Sequence, residues 1–339
     1  MYMRNSSFEL LRIVAMLMIV IHHFILHGIC RNAMPDSIGL LVVNQSVIYG
    51  VNLFLFITAY WGIKLKWKSF LGLLFICSFY KIIHLCMDIG IFGIPHAWYE
   101  WIAKPLMVFS HPGGWFVNVY IYLLLLSPLL NAAIHQMSKN QYHKVLVLLT
   151  ILEVYSGYIW GQSVSNMGHD LFHFAYIYLL GRYIALYPIT FPPTKIIILI
   201  GYALTTIFPV LLYYYFNTLP PSNQILAYNS PFVIVGAWLI FAFFQQLHLQ
   251  SDVINRVAAS MLPVYLLHDA PTSILPNFIY NEVHAAYTQN FIGGGKIMLI
   301  FVGLFIGVIL IDSIRLWLGE KIVTPIANYL NNKFNESKL

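Results

Sequence analysis

The sequence predicts an all-α integral membrane protein, a bundle of about ten transmembrane helices with both termini in the cytoplasm. Three observations carry this expectation. Of the 339 residues, 9% are charged and 60% hydrophobic, whereas a soluble domain carries about 25% charged residues to cover its surface. Apolar runs of about 18 residues or more recur along the chain, each long enough to cross about 30 Å of hydrocarbon as a helix. Lysine and arginine divide unevenly between alternate connections, the asymmetry that sets orientation in a membrane.

The spans read as 8–28, 41–62, 70–90, 114–135, 144–161, 169–187, 195–216, 231–248, 258–279 and 297–318. The longest connections fall near 91–113 and 280–296, and no soluble domain interrupts the series, so 1–339 reads as a single polytopic domain. With the N-terminus inside, the inner connections hold Arg4, Lys64, Lys66, Lys68, Lys139, Lys144, Lys195 and Arg256, and the inner tail holds Lys321, Lys333 and Lys338. The outer connections hold Arg31, Lys104 and Lys296. An even number of spans returns the C-terminus to the inside. The first run contains Arg12, His22 and His23 and lacks a small-residue cleavage site, so it reads as a retained span and not a signal peptide. Pro128, Pro209, Pro263, Pro271 and Pro276 are expected kinks or broken ends.

Composition also excludes some classes. The formal charge of +6 follows from the basic inner connections, so the expected partner is the lipid bilayer and not nucleic acid. Cys30, Cys77 and Cys86 form no C-x-x-C pair, which argues against a disulfide scaffold or a zinc site, and no metal is expected.

The chemistry begins in the first span. Ionisable groups inside a span are expensive and by default mark a functional pathway. Arg12 and His23 are eleven residues apart, about three helical turns plus 20°, so they share one face and lie about 16 Å apart along the axis. Glu9 precedes Arg12 by one turn, and His27 follows His23 by one turn. In the functional reading Arg12 holds an anionic group near the inner face and His23 is a general base, its near-neutral pKa suited to taking a proton from an alcohol. The bland reading is a rim Arg–Glu pair and a histidine satisfied by a neighbouring helix.

The span Glu9-Leu10-Leu11-Arg12-Ile13 through His22-His23 resembles the first helix of the acyltransferase 3 family of bacterial membrane proteins. Gly50-Val51-Asn52-Leu53-Phe54 through Ala59-Tyr60 looks like the family's second span, G-V-x-x-F-F-x-I-S-G-Y. Trp115-Phe116, Tyr120 and Ser127-Pro128-Leu129-Leu130 resemble its W-F-x-x-x-Y segment ending in S-P-L-L. Val264-Tyr265-Leu266-Leu267-His268-Asp269 resembles its late Y-L-I-H element. The resemblance implies a membrane O-acetyltransferase of the bacterial inner membrane. It would move an acetyl group from cytoplasmic acetyl-CoA, a co-substrate, to a hydroxyl of a cell-surface glycan or lipid-linked sugar, beside the polysaccharide-synthesis machinery. His23 and Arg12 carry over as the family's functional pair, with Glu9 and His22 beside them. One departure stands out: Lys64, Lys66 and Lys68 replace the arginine-rich stretch that many members carry after the second span. Lysines attract phosphate as point charges without the bidentate fork, so this stretch is either a CoA-phosphate site or an ordinary inner loop.

Other residues have two readings each. Trp115, Tyr120, His268 and Asp269 are candidates for acceptor binding, the His268–Asp269 pair inside the ninth span being alternatively a packing device. Trp98, Trp101, Trp115 and Trp160, with His96, Glu100 and His111, form either a sugar-stacking groove or an aromatic belt. Glu153 orients a histidine, senses a proton or is satisfied in packing; His169 and His173, at i and i+4, resemble a ligand pair without a third member. Gly293-Gly294-Gly295-Lys296 lacks phosphate-loop spacing and reads as a flexible turn. The competing function is a transporter of a polysaccharide intermediate or small solute, which would use the same polar groups as a pathway.

Overall fold

A computed structural model describes residues 5–108, 114–161, 165–188, 193–216, 224–270 and 273–334. Arg4, His111, Pro271 and Lys338 lie outside the described residues. Among those described there is no strand; the chain is a succession of helices. In order these are α1 (Ser6–His23), α2 (Ile38–Val47), α3 (Gly50–Trp61), α4 (Trp67–Gly90), α5 (Glu100–Leu106), α6 (Trp115–Gln136) and α7 (Lys139–Ile151). They continue with α8 (Leu171–Leu186), α9 (Lys195–Phe216), α10 (Pro231–Gln245), α11 (Asp252–Ala258), α12 (Met261–His268), α13 (Ile274–Tyr287) and α14 (Asn290–Phe334). Two π-helical segments, Phe24–Ile29 and Leu152–Ile159, continue α1 and α7 without a break.

Six of these helical stretches are long and apolar enough to cross a membrane: Ser6–Ile29, Ile38–Trp61, Trp67–Gly90, Trp115–Gln136, Lys195–Phe216 and Ile292–Phe334. Leu171–Leu186 and Pro231–Gln245 are shorter apolar helices. The fold is therefore that of a multi-pass membrane protein. The expected fifth span turns π-helical at Leu152, and the ninth is broken into α12 and α13. The proline positions explain part of this. Pro263 and Pro276 are third residues of α12 and α13, where a missing N–H costs nothing because first-turn donors have no intrahelical partner. Pro128 and Pro209 stay inside α6 and α9.

Three expectations are corrected. His268 ends α12 and Asp269 caps it with φ −129° and ψ 55°, so the pair is not inside a continuous helix; the residue before Pro271 is biased away from helix. Residues 280–296 are not a long connection, because α13 runs to Tyr287 and α14 starts at Asn290. Gly293–Lys296 is consequently helical and not a flexible turn. A Cβ at Gly293 would sit 1.7 Å from the Ala286 carbonyl oxygen, so the glycine permits the tight approach of α14 to the end of α13.

Two compact units interleave in sequence, one from residues 1–63 and 125–259, the other from 64–124 and 260–339. In the first unit α3 packs on α1, α8 and α10. Small residues bring these helices close, as in membrane packing generally: a Cβ on Gly181 would meet the Ala59 Cβ at 2.5 Å, and one on Gly50 the Ala15 carbonyl oxygen at 2.7 Å. Leu11, Val20, Phe56, Phe174 and Val233 fill the interior. In the second unit α4 packs on α5, α12, α13 and α14. There Asp312 of α14 is wholly buried and takes hydrogen bonds from Arg315 (2.8 and 2.7 Å), Tyr80 (3.2 Å) and Ser260 (2.8 Å).

Candidate active site

In the first unit, α1 starts in a fixed place because Ser6 and Ser7 are tied to the connection between α10 and α11 and to α11 itself. The Ser7 hydroxyl donates to the Leu247 carbonyl at 2.7 Å, the Ser6 hydroxyl to Asn255 Oδ1 at 3.0 Å, and the Ser251 amide to Ser6 Oγ at 2.8 Å. The Asn5 side chain caps the helix by accepting from the Ser7 amide. One turn on, Arg12 donates through Nη1 to both oxygens of Glu9 at 2.9 Å. Glu9 is buried, while the Arg12 side chain keeps 29% of its surface exposed. The pair leaves guanidinium hydrogens on Nε and Nη2 directed to neither Glu9 oxygen, so Arg12 retains donors for an anion.

At the far end of α1, His22 and His23 are both buried. His22 Nδ1 lies 2.6 Å from Asn44 Oδ1. The His23 ring stands 5.7 Å from His22 and 5.1 Å from His27, the latter edge to face. The helix turns π-helical immediately after His23, seen in the bond from the Cys30 amide to the Ile25 carbonyl five residues back. Such π segments occur frequently at functional sites. His27 in turn contacts Asn32. Glu9 and Arg12 thus form one pair, His22, His23 and His27 one row, on a single helix.

The same unit holds a polar constellation that sequence reasoning saw in fragments. Asn52 on α3 donates through Nδ2 to the Tyr228 carbonyl at 2.9 Å, which fixes its Oδ1 as acceptor for His173 Nε2–H at 2.9 Å. The other nitrogen, His173 Nδ1, stands 2.5 Å from Glu153 Oε1, a hydrogen-bonding distance. Glu153, His173 and Asn52 are wholly buried. Glu153 therefore does orient a histidine, and His173 has both ring nitrogens committed, so His169 and His173 do not form an open ligand pair. The signal lay in Glu153 and His173 as ionisable groups within spans; their meeting with Asn52 links three separate helical stretches and is not written in local spacing.

The remaining candidates belong to the second unit. Lys64, Lys66 and Lys68 are exposed, on the non-helical approach to α4 and its first turn, with Lys68 3.8 Å from Glu320. Trp115 opens α6, and its ring meets Phe116 at 6.0 Å. Phe116 stacks with Tyr120 at 6.1 Å and meets Tyr265 edge-on at 5.7 Å, while Tyr265 meets His268 at 6.2 Å. The structure thus gathers Trp115, Tyr120 and His268 into one aromatic cluster. Gly114 is needed beside it: its φ is +77°, and a Cβ there would lie 2.3 Å from the Tyr265 hydroxyl. His268 is buried with Nδ1 on the Val264 carbonyl, and Asp269 is half-buried at the helix end.

Long apolar helices make this an all-helical, multi-pass membrane protein, and its first helical stretch carries the Glu9–Arg12 pair at one end and the row of His22, His23 and His27 at the other. A family model described as an acyltransferase domain, that of acyltransferase 3, matches residues 5–316. The chain belongs to the acyltransferase 3 family and is a membrane acyltransferase. No curated protein and no solved structure matches it.

Proposed function

We propose that the protein is a bacterial inner-membrane O-acetyltransferase of about ten spans with both termini inside. It takes acetyl from cytoplasmic acetyl-CoA and places it on a sugar hydroxyl of a surface polysaccharide, or of its lipid-linked precursor, alongside the synthesis machinery. The observation that carries this reading is α1 itself: Glu9-braced Arg12 near one end and buried His23 eleven residues on, along one helix. Arg12 holds a phosphate of the donor, and Lys64, Lys66 and Lys68 attract the same polyanion from the inner side. His23, steadied by His22 and His27, takes the proton of the sugar hydroxyl. The oxygen attacks the thioester carbonyl, the carbon–sulfur bond breaks, and the thiolate leaves with the proton that His23 returns. Trp115, Tyr120, His268 and Asp269 supply stacking faces and polar contacts for the acceptor.

The test is the O-acetyl content of the surface glycan in a deletion strain complemented with wild-type, His23→Ala or Arg12→Ala protein at equal membrane abundance. A positioned general base is worth about 10²–10⁴-fold, so His23→Ala should leave acetylation at background. Arg12→Lys should recover part of what Arg12→Ala loses, since the charge returns without the fork. Full acetylation with His23→Ala removes the catalytic assignment.

A further inference from the structure

The interior of the second unit contains polar groups that the Arg12–His23 chemistry leaves unused. Along α4, Lys81, His84 and Asp88 follow one another at spacings of three and four residues, which stacks them on one helix face. All three are buried, with 7%, 3% and 4% of their surface exposed. Each presents an atom without a hydrogen-bond partner among the described residues: Lys81 Nζ, His84 Nδ1 and Asp88 Oδ1. Their other polar atoms are fixed. His84 Nε2 donates to the Leu266 carbonyl of α12 at 2.9 Å, so its Nδ1 carries a lone pair when the ring is neutral. Asp88 Oδ2 faces His96 Nε2 at 2.9 Å, and His96 Nδ1 faces Glu100 Oε2 at 2.7 Å.

An unpaired ammonium in a membrane interior is costly, and the Lys104 ammonium lies within electrostatic reach of Lys81. The arrangement is one that an anion would complete. One and two turns further along, the open atoms change from donor to acceptor, and they suit hydroxyl groups. Leu266, which holds His84, follows Tyr265, a member of the aromatic cluster with Phe116, Tyr120 and Trp115.

We propose that this face of α4 binds a sugar carrying a phosphate ester, with Lys81 on the phosphate and His84 Nδ1 and Asp88 Oδ1 accepting hydrogen bonds from its hydroxyls. The inference rests on the acyltransferase reading and narrows its acceptor. A sugar phosphate reaches such a site either as a soluble ester or attached through phosphate to a lipid.

Binding is measured on the purified full-length chain in a detergent without sugar or phosphate groups, with no acyl donor present. The probes are glucose 1-phosphate, octyl glucosyl phosphate and octyl phosphate. At least one glucosyl phosphate should bind, and Lys81→Met and Lys81→Gln should each weaken it about tenfold or more. Asp88→Asn should weaken the glucosyl probes and leave octyl phosphate unaffected. Tighter binding of the octyl glucosyl ester supports the site with a lipid-linked sugar, and tighter binding of glucose 1-phosphate supports it with a soluble one. Without ligand, Lys81→Met should melt no lower than wild type, because it removes an unpaired buried charge. The proposal fails if neither glucosyl phosphate binds, if a Lys81 variant binds like wild type, or if octyl phosphate accounts for the whole affinity. Because no donor is present, His23→Ala should bind normally, so a failure of the catalytic assignment and a failure of this site are read separately.

Discussion

At the scale of single residues, the ionisable groups within the spans divide into those whose partners satisfy them and those that keep donors or acceptors open. Asp312 is the satisfied extreme, with four hydrogen bonds into a site of no exposure. Removing one partner of such a pair strands the other charge, at a cost of about 3–5 kcal/mol. Asp312→Ala should therefore lower the melting temperature of the purified protein sharply and reduce its level in the membrane, whereas exchanging the exposed Lys68 for Ala should do neither. An Asp312→Ala protein that melts with wild type would show the pair to be dispensable. The contrast also marks what the sequence could reveal. Arg12 and His23 were legible as ionisable residues on one helix face, because such groups are costly inside a span. Asp312 and Arg315 lie within the expected tenth span and were not singled out, since their satisfaction depends on Tyr80 and Ser260, far away in sequence. Glu153 and His173 were legible as individuals, but the hydrogen bond between them was not.

At the scale of elements, apolar runs located the helices well, although six helical stretches among the described residues, and not ten, are long and apolar enough to cross hydrocarbon by themselves. What the runs could not show was where the backbone departs from α geometry within them. The π segments after His23 and Ile151 and the break between α12 and α13 depend on tertiary contacts and on local proline chemistry, and glycine at 293 served a close approach instead of a turn. The short helix α5 falls in the expected connection 91–113 and has a role there. Its Glu100 is held below the usual carboxylate range by the His96 ring and the Lys104 ammonium, the latter at 3.2 Å. Because the folded pKa is the lower one, this contribution is present above the ordinary carboxylate range and is lost as pH falls through the depressed value. Melting curves between about pH 5 and pH 3 should fall more steeply for wild type than for Glu100→Gln. Identical slopes would remove Glu100 from the account of acid stability.

For the whole molecule, orientation follows from the uneven distribution of lysine and arginine, and one pair in the second unit makes it testable. Lys68 and Glu320 stand 3.8 Å apart, so the approach to α4 and the later part of α14 share a side. With the N-terminus inside, cysteines at Lys64→Cys and Glu320→Cys should react with an impermeant maleimide after permeabilisation only, and Trp98→Cys in intact cells. Labelling of Lys64→Cys in intact cells would invert the orientation. The membrane class was legible from composition alone; the division of the chain into two interleaved units was not, because it depends on which helices touch. The length of α14 then has a consequence of its own. Its 45 residues rise about 67 Å, more than twice the roughly 30 Å of hydrocarbon. Such a helix is long enough to pass through every layer of the bilayer and continue into water, so successive positions along it form a graduated scale. A polarity-sensitive probe moved residue by residue along α14 would read membrane depth directly, with the exposed Glu320, Lys321 and Lys333 marking the wet end.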